Sequence, residues 1–155
     1  MTTIQGLNAV YPDARFVMTH RDITSVIPSV CAVKEALSTP LTDSFDCLAL
    51  GRHEHKLWLE SIRRLMEFRN SGRGDRFIDV SFNDLQRDPI DCMEHLYDQL
   101  GDDLAPDTRS RMAQWWEESA KDRRQGKRPD PAAYGLDLDA IRKDFAFYHD
   151  QFAIS

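Results

Sequence analysis

The stretch that most limits the fold is Tyr11–Cys31, YPDARFVMTHRDITSVIPSVC. Within it residues 14–19, ARFVMT, are short, apolar on both faces and followed directly by charge, which predicts a parallel strand covered on each side. Thr24 or Ser25 can then cap a helix running to about Leu37, with Pro28 tolerable only in its first turn. That order sets Arg21 at the end of a buried strand and Ser29 near a helix N-terminus, eight residues on. An anion could sit between them: open α/β sheets take ligands beyond the carboxyl ends of their strands, a helix N-terminus favours negative charge, and Arg offers a forked donor for phosphate. The competing reading is a strand-end Arg paired with a neighbouring carboxylate such as Asp22.

Beyond this unit the chain is punctuated clearly. Residues 38–44, STPLTDS, read as a loop, and a helix from about Arg52 to Asn70 carries Trp58, Ile62, Leu65 and Met66 on one stripe. SGRG at 71–74 ends it, and RFIDVSF, residues 76–82, predicts a second strand. Asp88 and Pro89 form an N-cap and N1 pair for a helix with Met93, Leu96, Tyr97 and Leu100 on one face, closed by Gly101. Asp107 can cap another helix through Met112, Trp115 and Trp116 to about Lys121. A basic, broken segment, residues 121–131, follows, and a last helix runs from about Leu138 to Phe152 with Ile141, Phe145, Tyr148 and Phe152 along one side.

Two buried parallel-type strands among roughly five helices make an α/β inventory that is short of strands, since sheets usually hold about four to six. At 155 residues the chain is one domain long and can bury a core without disulfides or metals. Its net charge of −6 and pI near 5.3 disfavour general nucleic-acid binding, so any phosphate site has to be local. Cys31, Cys47 and Cys92 lie far apart with no C-x-x-C pairing, which suggests neither a disulfide framework nor structural zinc and fits a reducing compartment. No signal-peptide pattern and no membrane-length apolar run are present, and the expected localisation is cytoplasmic. His53 and His55 in RHEH would point to opposite sides of a helix, so no metal is assigned. Trp115 and Trp116 are adjacent, so at most one faces a core.

The segment PDARFVMTHRD with its following Ser resembles the 3′-phosphoadenosine-5′-phosphosulfate (PAPS) binding region of sulfotransferases. In that family an Arg ending a strand and a Ser eight residues later grip the donor's 3′-phosphate, and Arg21 and Ser29 stand at that spacing. VSFNDLQRDPIDCMEHLYDQLG is similar to the family's YEDL…DP…FLG block, with Phe82 where a Tyr near the adenine is usual. The tail AAYGLDLDAIRKDFAFYHDQF resembles the closing segment of bacterial sulfotransferases, with its acidic middle shortened to Tyr134, Gly135 and Leu136. The basic loop of Arg123, Arg124, Lys127 and Arg128, with Gly126, falls where the family often closes a lid over the 3′-phosphate.

The resemblance implies a P-loop-NTPase-like sulfotransferase fold, α/β but incomplete, in a single domain over residues 1–155. It implies PAPS as donor, PAP as product, and Arg21, Ser29, Phe82, Arg124 and Lys127 as cofactor-binding residues. Sulfuryl transfer would go to a hydroxyl or amine on a small-molecule, lipid or carbohydrate acceptor. The family's GTT-type 5′-phosphosulfate loop has no counterpart here, and by the resemblance that loop and the upstream catalytic base would lie before Met1, so no catalytic residue is assigned. Alternatives remain: a non-catalytic nucleotide-binding module, or one that docks on a protein partner or a second copy through the face left by the missing half. A P-loop kinase relative lacks its G-x-x-x-x-G-K-[ST] support. On their residues alone, Phe82 is as well read as a core aromatic, and the basic loop as a solvated charge run.

Overall fold

A computed structural model describes residues 4–121 and 128–154. Among them are two strands and eight α-helices, rather than about five. They are α1 (Ile4–Val10), β1 (Phe16–His20), α2 (Ile23–Ser38), α3 (Cys47–Asn70), β2 (Phe77–Ser81), α4 (Phe82–Arg87), α5 (Pro89–Leu100), α6 (Pro106–Glu118), α7 (Leu138–Asp144) and α8 (Ala146–Phe152). The residues cluster into two compact units, one of residues 1–14, 21–76 and 128–155, the other of residues 15–20 and 77–127. No helix among the described residues is long and apolar enough to cross a membrane.

The first unit is helical. Helix α2 packs on α3 and α7, and Ile27, Cys31, Ile62, Ile141 and Phe145 are almost completely buried. Helix α3 starts at Cys47, five residues before the expected Arg52, because Asp46 caps it by accepting the Ala49 N–H at 2.8 Å. Its predicted stripe is present, with Ile62, Leu65 and Met66 buried and Trp58 half-buried. Gly51 is also buried there, where α3 meets the short 3₁₀ turn Pro131–Tyr134. The expected last helix is two, α7 and α8, broken at Phe145, although Ile141, Phe145 and Tyr148 share the buried side as their spacing predicts. Arg76 ties down the segment that precedes β1, its guanidinium donating to the Ala14 carbonyl at 2.9 Å and to Asn8 Oδ1.

Two neutral acids are held in this unit. Burial, then the nearby Glu54 charge, pushes the Cys31 thiol up to about 11, with Lys34 pulling the other way. Burial and the hydrogen bond it donates to Glu35 Oε2 at 2.6 Å raise the Tyr134 phenol. In the unfolded chain these groups ionise near 9.0 and 10.0, so above pH 9.0 the folded state holds protons that the unfolded state has released. Their stabilisation is complete below pH 9.0 and is lost as pH rises through the folded values. The expected result is a melting temperature that falls steadily from about pH 9 to 11, less steeply in Cys31→Ala, as followed by circular dichroism.

The second unit is built on a parallel pair, β1 beside β2, in register Phe16↔Phe77 to His20↔Ser81. The rings of Phe16 and Phe77 lie 5.2 Å apart. Strand β1 is not covered on both faces as expected: Phe16, Met18 and His20 turn inward, whereas Val17 is 48% exposed. Being one half of a two-stranded sheet among the described residues, it has only one strand beside it. The second strand ends at Ser81, and Phe82 opens α4, because the Ser81 hydroxyl accepts the Asp84 N–H and turns the chain into a helix. Helix α5 matches its prediction, capped by Asp88 with Pro89 first and Gly101 left-handed at φ 78°. Helix α6 begins at Pro106 behind Ala105, so Asp107 lies in its first turn instead of capping it.

Candidate functional site

The chain leaves β1 at His20, and Arg21 and Asp22 lead into α2. Asp22, not Thr24 or Ser25, is the N-cap. Its Oδ1 accepts the Thr24 N–H at 2.9 Å and its Oδ2 the Thr24 hydroxyl at 2.6 Å. The carbonyl of Asp22 accepts the N–H groups of Ser25 and Val26, and the Ile23 N–H points at His149 Nε2, 3.4 Å away on α8. The first-turn N–H groups are therefore all engaged within the protein, and a carboxylate sits at the helix start. An anion here would be taken by side chains rather than by the open backbone donors that a helix N-terminus usually offers.

Those side chains are displayed outward. Arg21 and Ser29 are both exposed, as is Ser25 one turn before Ser29. Because α2 begins at Ile23, Ser29 is in its second turn and not the first, about 9 Å along the axis from Ile23 at ~1.5 Å per residue. A long Arg side chain and a tetrahedral anion together can span such a gap. Pro28 is likewise in the second turn, contrary to the expected position, and is buried. Lacking an N–H, it leaves the Thr24 carbonyl without its α-helical donor.

In the second unit Phe82 is half-buried at the first position of α4. Arg123, Arg124, Gly126 and Lys127 lie outside the described residues, and Arg128 is exposed. Cys31, Cys47 and Cys92 are free thiols. His53 and His55 join no metal-binding cluster among the described residues; His55 Nε2 instead lies 3.0 Å from Asp144 Oδ2, out of hydrogen-bond alignment.

Three polar features escaped the sequence reading. His20, 6% exposed at the end of β1, meets Asp79 Oδ1 at 2.8 Å and ties the carboxyl end of one strand to the next. Its only local signal was a His closing an apolar run. His149 joins α8 to the start of α2, lying 3.7 Å from Asp22 Oδ1. Glu54 is buried at 1% exposure inside α3, with Lys34 Nζ 2.6 Å from its Oε1. Lys34 and Glu54 are twenty residues apart, so no local pattern pairs them.

Comparison with known proteins bears on what this arrangement serves. A family model described as the Sulfotransferase family matches residues 1–106, a range that includes Arg21, Ser29 and Phe82. The crystal structure of sulfotransferase STF9 from Mycobacterium avium is similar at a TM-score of 0.89 and 27% identity, covering 98% of this chain and 39% of that one. That of sulfotransferase STF1 from Mycobacterium tuberculosis is similar in fold at a TM-score of 0.77 and 24% identity, covering 93% of this chain and 36% of that one. The chain thus spans well under half the length of these solved relatives. None of the curated proteins matches it.

Proposed function

Because this chain belongs to the sulfotransferase family, we propose that it binds the 3′-phosphate of PAPS, and of the product PAP, through Arg21 and Ser29. The observation that carries the proposal is the outward display of both side chains where β1 gives way to α2, inside the region the family model matches. The fit to the ligand is chemical. A guanidinium supplies paired N–H donors for phosphate oxygens, and a hydroxyl supplies one more. With the first-turn backbone donors already used, the contact at the start of α2 falls to these two side chains, which makes it sensitive to either one.

The proposal extends to Phe82 as a ring for the adenine, stacking without the hydroxyl that a Tyr would bring. Arg124 and Lys127 are proposed to add cationic contacts to the same phosphate. When bound, PAPS supplies an activated sulfuryl group, and its transfer to a hydroxyl or amine of a small molecule, lipid or carbohydrate is the activity proposed for the family member as a whole. Holding and neutralising charge provide most of the catalysis in such transfers. Within residues 1–155 the part assigned is the grip on the 3′-phosphate, and no residue is assigned to the transfer step. The free thiols and a nucleotide donor suit the cytoplasm, which is part of the same proposal.

Calorimetric titration with adenosine 3′,5′-bisphosphate tests the reading. Saturable binding by the folded chain is expected, and a folded chain that takes up none would overturn it.

A further inference from the structure

A carboxylate stands where the phosphate contact is assigned, and a histidine is paired with it. Asp22 caps α2 directly after Arg21, and a negative charge beside a bound phosphate repels it. His149 reaches that carboxylate from α8: its Nε2 lies 3.7 Å from Asp22 Oδ1, and its side chain is 11% exposed. The same nitrogen accepts the Ile23 N–H at 3.4 Å, which requires that it carry no proton, so the ring is neutral in this arrangement. The other charged or titratable groups set around it are Asp150, next to it in sequence, Tyr148, 5.8 Å away ring to ring, Arg69 of α3, which lies over the Phe152 ring, and Arg21. Asp22 is the one that pairs with the imidazole.

From this geometry we infer that His149 is a positioning residue for the phosphate contact, acting through Asp22 and taking up a proton when phosphate binds at Arg21 and Ser29. The inference rests on the reading of that pair as a 3′-phosphate site. One proton passes from solvent to Nε2, and no other covalent bond changes. Nε2–H then donates to Asp22 Oδ1, a closing movement of about 1 Å to hydrogen-bond length. Two effects favour the anion: the Asp22 charge is offset, and the Ile23 N–H is released as a main-chain donor at the start of α2. One effect opposes them, the loss of the Ile23 bond. At 3.4 Å that bond is already longer than the usual span of about 2.7–3.2 Å, and is correspondingly weak. Charge therefore decides the sign. Affinity for the phosphate rises as pH falls through the range of about 5 to 8 in which histidines change charge.

Calorimetric titrations with adenosine 3′,5′-bisphosphate at about pH 8 and about pH 5.5, the two ends of the histidine range, compare the wild type with His149→Gln. The Gln amide oxygen can still accept the Ile23 N–H, but the side chain does not titrate. The ligand's own phosphates titrate in the same range and cancel in the ratio of the two affinities. Wild type and variant are expected to bind alike at the alkaline end, and the wild type about three- to fivefold more tightly at the acid end, the scale of one partly screened charge. A purely structural role for His149 would change the ratio equally at both ends. Should His149→Gln fail to fold, the wild type alone decides: the His149 ring proton resonance, followed by NMR with and without the bisphosphate, should titrate about half a pH unit higher when the nucleotide is bound, the same factor expressed as proton affinity. A ratio that does not move with pH, or a His149 titration that the nucleotide leaves in place, overturns this inference and leaves the phosphate site standing. No binding by the folded wild type at either pH overturns the phosphate reading and this inference with it.

Discussion

Arg21→Ala is expected to lower affinity for adenosine 3′,5′-bisphosphate roughly ten- to thirtyfold, about 1.5–2 kcal/mol. Hydrogen bonds to charged groups are worth ~1.5–3 kcal/mol, and solvent at an exposed position favours the lower part of that range. Arg21→Lys should fall between the two, keeping the charge and losing the forked pair of donors. Ser29→Ala removes one neutral donor and should cost about fivefold, near 1 kcal/mol. Both positions are exposed, and surface substitutions usually change stability by no more than about 0.5 kcal/mol. The variants should therefore melt close to the wild type, so that calorimetry reads recognition rather than folding. Raising the salt concentration should narrow the gap between Arg21→Ala and the wild type, because exposed charges are screened.

The second large effect concerns stability. A Cβ added at Gly51 would lie 2.0 Å from the Tyr134 carbonyl oxygen and 3.0 Å from the Tyr134 carbonyl carbon. Glycine inside a helix normally costs up to ~1 kcal/mol relative to alanine, so Gly51→Ala at an open site would stabilise α3. Here the obstacle is backbone, and that backbone is anchored. The Tyr134 hydroxyl is bonded to Glu35 at 2.6 Å, and the next residue, Gly135, is in the left-handed region at φ 60°. Neither the 3₁₀ turn nor α3 can withdraw without breaking contacts of its own. Gly51→Ala is expected to destabilise the protein by about 2–3 kcal/mol net, in the usual range for overpacking, and to lower the melting temperature by roughly 5–10 °C. A variant that melts at or above the wild-type temperature would show that α3 and the turn do not approach this closely.

What could be read from the chain in advance follows from how local each signal is. Helix α5 was legible to the residue because Asp88, Pro89 and Gly101 act on their immediate neighbours. The two parallel strands were legible from short apolar runs, but the exposure of Val17 was not, since a run of apolar residues does not tell how many faces the rest of the protein covers. Helix α3 began earlier than expected because Asp46 caps it across Cys47, and Gly51, inside the added turn, is a contact point that only the packing against Tyr134 reveals. Ile141, Phe145 and Tyr148 kept one buried side across the break between α7 and α8. Periodicity alone therefore gave one helix, with no Gly or Pro to mark the division.

The site divides in the same way. The placement of Arg21 just after a strand and of Ser29 on the helix that follows was legible because both lie within one strand-to-helix unit. Asp22 as the cap was missed, and with it the start of α2, which moved Ser29 and Pro28 into the second turn. His20 with Asp79, and Lys34 with Glu54, are 59 and 20 residues apart and meet only through tertiary packing. No periodicity or capping rule joins residues that far apart.

The central claim is recognition of a 3′-phosphate, and one comparison isolates that group: parallel calorimetric titrations of the wild-type chain with adenosine 3′,5′-bisphosphate and with adenosine 5′-monophosphate, which differs only in lacking it. The account predicts saturable binding of the bisphosphate and affinity for the monophosphate lower by at least about fiftyfold, the combined share of a guanidinium and a hydroxyl. Equal affinity for the two nucleotides, or binding of neither by the folded protein, would contradict it.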